Sequence, residues 1–147
     1  MTKATYDTDF YAWTQSQAQA LRAKDWPALD VDHLAEEIDS VGIADEHAIT
    51  RHLQRLLRHL LKWRYQPTHH TPSWRRRIHQ ARDAIADRLE RSPSLRSYPA
   101  QRLPLAYRRA RRDAAEETGL PLATFPETCP WALDQVLDED FWPEDRP

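Results

Sequence analysis

Apolar residues recur every three or four positions along most of this chain. Val31, Leu34, Ile38 and Val41 fall at i, i+3, i+7 and i+10. Ile49, Leu53, Leu56, Leu57 and Leu60 fall within an arc of roughly 100° on a helical wheel. Trp74, Ile78, Ala81, Ile85 and Leu89 make a third stripe, and Ala106, Tyr107, Ala110 and Ala114 a fourth. Phe10, Trp13, Gln17 and Leu21 share a face near the N-terminus. This period belongs to amphipathic helices. It predicts helices over about 8–24, 31–41, 45–65, 74–91 and 105–118, with a short sixth over 130–137.

Punctuation supports these bounds. Asp7 or Thr8, Asp30 and Ser73 suit N-caps, and Gly119 suits the residue after a helix. Gly42 marks an expected break, and Pro99 and Pro104 limit 95–103 to a turn or two. Phe125, Trp131, Leu133, Val136, Leu137, Phe141 and Trp142 are too apolar for a free tail and predict an aromatic clasp on the bundle.

Composition sharpens this into an all-α class. There are two glycines and no asparagine, so tight hairpin turns lack their usual residues. The expected architecture is one domain over 1–147: a compact bundle of about five main helices, a short C-terminal helix and an aromatic tail. The single cysteine, Cys129, cannot form an internal disulfide, which fits a reducing compartment. No apolar run approaches the ~18 residues of a membrane span, and the N-terminus has no signal-peptide pattern. A soluble, cytoplasmic protein with no membrane partner is expected.

The net charge of −2 conceals three blocks. Residues 1–50 carry −7, residues 51–112 carry +14 and residues 113–147 carry −9. A basic middle between acidic ends reads first as internal complementarity. It also allows nucleic-acid or polyanion binding, with Arg75 and Arg76 near Trp74, and Arg108, Arg109, Arg111 and Arg112 near Tyr107, as candidates.

Assembled chemistry is sparse. His33, Glu36 and Glu37 sit one turn apart, yet the wheel sends His33 and Glu36 away from the Leu34/Ile38 stripe, so no metal site is expected. No cofactor motif or paired nucleophile is present. Glu37, His59, Trp63, Arg77 and Arg82 border apolar stripes on different helices, where facing edges meet. Their simplest reading is ion pairing that fixes helix register. A metal-dependent hydrolase built on Glu37 and His59 is a third functional class. The leading expectation is a non-enzymatic interaction or regulatory module with an unknown protein partner.

Taken in order, "YDTDFYAWTQSQAQALR", "LDVDHLAEEIDSVG", "LLRHLLKWRYQP", "SWRRRIHQAR", "SPSL", "YRRARRDAAEETGLP", "FPETCPW" and "LDEDFWP" resemble the bacterial domain of unknown function 29 family over nearly the whole chain. The resemblance implies an all-helical, soluble fold and assigns no activity. Pro99 and Pro104 depart from the helix-friendly segment that follows "SPSL" in relatives.

Overall fold

The structure, a computed structural model, describes residues 5–144. They form four long helices and a short one: α1 (Phe10–Arg22), α2 (Val31–Tyr65), α3 (Pro72–Arg91), α4 (Tyr98–Thr118) and α5 (Leu133–Leu137). No strand occurs among the described residues. The chain divides into two compact units, Met1–Ala44 and Asp45–Pro147. The first unit contains α1 and the start of α2, and the second contains the rest.

Two expected breaks are absent. Gly42 lies inside α2, so the segments predicted over 31–41 and 45–65 are one helix of 35 residues. A glycine costs a helix interior only about 0.5–1 kcal/mol relative to alanine, too little to outweigh the bonds on either side. Pro104 lies inside α4, which begins at Tyr98 rather than near 105. Pro99 occupies the first turn, where no amide bond is lost. Pro104 does remove the bond to the Ala100 carbonyl, but both residues are exposed, so water can serve that oxygen. Packing of buried Ala106, Tyr107, Ala110 and Ala114 carries the helix through. Gly119 ends α4 at φ 73°, the left-handed conformation glycine adopts without strain. Two caps also shift: Asp9 caps α1, its carboxylate accepting from the Ala12 amide, and Thr71 caps α3, accepting from the Trp74 amide.

In the second unit the core follows the predicted stripes. Leu53, Leu56, Leu57, Leu60 and Leu61 of α2 are fully buried with Ile78 and Ile85 of α3 and Ala106, Ala110 and Ala114 of α4. Phe125 and Val136 complete the core from the C-terminal segment, as expected of an aromatic clasp. The small alanine face of α4 shares one core with the bulky leucines of α2.

The first unit behaves differently. Trp13, Gln17 and Ala20 of α1 are buried, but the α2 stripe is not: Val31 is 65%, Ile38 70% and Val41 68% exposed. Leu34, within the same stripe, is half-buried, so three of the four expected inward positions face outward.

The two glycines make opposite predictions. A Cβ at Gly42 would meet nothing within 4 Å, so Gly42→Ala should stabilise the protein by about 0.5–1 kcal/mol. Gly119→Ala should cost about 1 kcal/mol, because φ stays positive. Urea unfolding followed by circular dichroism reads both. A Gly42→Ala variant that loses stability would contradict a continuous helix at that point.

Candidate functional site

In the first unit a small polar network explains the inverted face. The Trp13 indole N–H donates to Asp30 Oδ2 at 3.1 Å, and His33 Nδ1–H donates to the same oxygen at 2.8 Å. The Gln17 side chain accepts from the Asp30 amide at 2.7 Å and donates to the Ala28 carbonyl at 3.3 Å. Tyr6 stacks on the His33 ring, 3.9 Å between centroids, and its hydroxyl donates to Glu37. The His33/Glu37 edge of α2 thus faces aromatic partners, and the valine–isoleucine face is left outside. The shared hydrogen bond raises the His33 pKa and lowers that of Asp30. The bond to Glu37 pushes the Tyr6 hydroxyl up to about 12.

Four of the five core-edge candidates, His59, Trp63, Arg77 and Arg82, belong to the second unit, whereas Glu37 is held by Tyr6 in the first. His59 is 3% exposed. Its Nδ1–H donates to the Arg55 carbonyl one turn back at 2.9 Å, which leaves Nε2 as the unprotonated nitrogen. Burial pushes its pKa down to about 4. A groove of about 380 Å³ opens here, lined by His59, Lys62, Trp74, Arg77 and Glu117 among others. Glu117 lies 3.1 Å from Lys62 and 3.6 Å from Arg58, and Arg77 Nε donates to Ser73 Oγ at 3.4 Å.

Arg82 is the most constrained cation. It is 3% exposed and forms no ion pair among the described residues. Its Nε donates to the Val136 carbonyl at 2.9 Å and its Nη2 to the Phe141 carbonyl at 2.8 Å, while Nη1 is buried without a partner. Desolvation lowers its pKa, and Asp138 and Glu139 oppose that at longer range. Arg82 therefore ties the end of α5 and the tail to α3. Trp142 packs beside it, 4.8 Å from Trp63 and 4.6 Å from the Arg75 guanidinium. His70 stacks on Trp63 at 3.6 Å and donates Nε2–H to the Trp63 carbonyl.

The six arginines proposed for polyanion binding have separate fates. Arg75 lies against both Trp63 and Trp142. Arg111 Nε donates to the Phe125 carbonyl at 3.0 Å, and Arg112 pairs with Asp113 at 3.2 Å. Arg108 borders a mostly apolar pocket with Tyr107 and Cys129. Arg76 is exposed. Arg109 lies in a third groove with Arg102 and, from α2, His47, Thr50, Arg51 and Gln54. Sequence reasoning missed this last set for a definite reason. Arg102 and Arg109, seven residues apart, share a face only if the helix runs through Pro104, and Arg51 resembled any other solvated cation opposite the leucines. Among the described residues, no three His, Cys, Asp or Glu side chains are grouped to hold a metal ion, and no helix is long and apolar enough to cross a membrane.

A family model, the domain of unknown function DUF29, matches residues 5–142. The chain belongs to the DUF29 family. No curated protein and no solved structure matches it. The DUF29 match spans all five helices and the Arg82–Trp142 clasp, so these features lie within the family's own extent.

Two predictions concern this DUF29 core. Arg82→Ala should cost about 3 kcal/mol by stranding two carbonyls, and proteolysis near Phe141 should accelerate; an unchanged cleavage rate would contradict the tie. His59 has a folded pKa of about 4 against about 6.5 unfolded. The unfolded chain thus binds this proton first as pH falls, and stability declines from about pH 6.5 to about pH 4, by roughly 3 kcal/mol in all. His59→Gln should flatten that part of the profile in urea midpoints measured against pH.

Proposed function

We propose that this protein is a non-enzymatic interaction module whose first unit seats the exposed face of α2 in an apolar groove of a partner protein, rimmed by lysine and arginine. One observation carries the reading: Val31, Ile38 and Val41 are each about two-thirds exposed and are spaced as anchors of a helix laid in a groove. A run of branched aliphatic side chains left in water is costly unless something covers it.

Charge supports the choice of partner. Asp32 and Asp39 are exposed and border the stripe on its Val31 side. Two copies placed stripe to stripe would bring like charges together, whereas a basic rim would complement them. A reducing, cytosolic setting suits the free Cys129 thiol, whose pKa burial raises.

A photo-crosslinking residue placed at position 38 in living cells tests this, with the crosslinked peptide of the captured protein identified. The expected result is one partner protein crosslinked through an apolar surface rich in lysine and arginine. Val41→Asp should abolish the crosslink, and Asp39→Lys should reduce it, with helicity unchanged. Crosslinks to a second copy, to the chain's own second unit, or to no protein would each overturn the proposal.

A further inference from the structure

The groove between α2 and α4 has a composition unlike the others. Among the residues lining its roughly 380 Å³ are Arg51, Arg102, Arg109 and His47, and none of the lining residues is acidic. Most cations of the basic block are already engaged. Glu117 takes Arg58 and Lys62, Asp45 takes Arg88 and Arg91, and backbone carbonyls take Arg82 and Arg111. Arg51, Arg102 and Arg109 form no ion pair among the described residues. Asp113, which accepts from Gln54 Nε2 at 2.9 Å, pairs with Arg112. Arg102 adds a second observation: its Nε is buried without any partner, and the guanidinium lies 5.9 Å from the Tyr98 ring centroid. A donor shielded from water and left unpaired costs about 1–3 kcal/mol, more when charged.

We propose that this groove binds a compact small molecule bearing phosphoryl groups with two or more negative charges. Three guanidinium groups around one concavity offer several planar donor forks to phosphoryl oxygens. The volume is that of a small-molecule site. A nucleic-acid backbone requires a longer track of free cations; of the arginines near the groove, Arg111 and Arg112 are held by internal partners, whereas Arg55 and Arg108 are exposed, so competition by an oligonucleotide belongs to the test. This groove involves neither the exposed α2 stripe nor its flanking acids, so its test is separate from that of the interaction reading.

Isothermal titration of the full chain with inorganic pyrophosphate at low salt should show saturable binding at one site, tighter than for inorganic phosphate because pyrophosphate reaches more guanidinium groups. Arg102→Gln and Arg109→Gln should each weaken it about tenfold or more. Arg76→Gln and Arg108→Gln, exposed arginines outside the groove, should change it less than about twofold. If Arg102→Gln does not fold, exposed Arg51 and Arg109 provide the same test. Absence of saturable binding, equal affinity for phosphate and pyrophosphate, or equal losses in the outside variants would overturn the proposal. So would a duplex or single-stranded oligonucleotide that displaces pyrophosphate with a steep salt dependence.

Discussion

The burial of one face of α2 from Ile49 to Leu61 is the constraint on which the second unit is built. Its leucines have no exposure at all, and each is worth about 2–5 kcal/mol against truncation to alanine. That wall fixes which sides of α3 and α4 turn inward. It therefore fixes which of their arginines remain at the rim. The cationic middle of the sequence is scaffold first, and its charges are distributed by the packing beneath them.

The same logic explains how the charge blocks meet. The acidic ends were expected to neutralise the basic middle, and within the second unit Asp45, Asp113 and Glu117 do so through pairs with Arg88, Arg91, Arg112, Arg58 and Lys62. Arg82 follows a different rule. Its charge is spread over two carbonyl oxygens, one at the end of α5 and one in the tail beyond it, where the backbone has left its helical hydrogen-bond ladder. Register is fixed by a cation gripping main chain rather than by a carboxylate on another helix. No side-chain pattern in the sequence could signal such an interaction, because its acceptors carry no residue identity.

Helix existence and the core of the second unit were legible because a 3.6-residue period is a direct consequence of burying one side of a helix. Gly42 and Pro104 were misleading because local propensity is a small term beside tertiary packing. Periodicity also failed to say which face of the start of α2 is covered. An amphipathic stripe records that a face is apolar, and Tyr6, Trp13 and Asp30 decide that its neighbours lie along the other edge. His59 lines a groove and Trp63 packs against Trp142, but Glu37 could not be located without the long-range bond from Tyr6.

The outward-facing aliphatic row on α2 also bears on colloidal behaviour. Asp32 and Asp39 stand beside Val31, Ile38 and Val41 as gatekeepers, where like charges oppose the stacking of copies face to face. The row is thus guarded by neighbouring charge rather than by concealment.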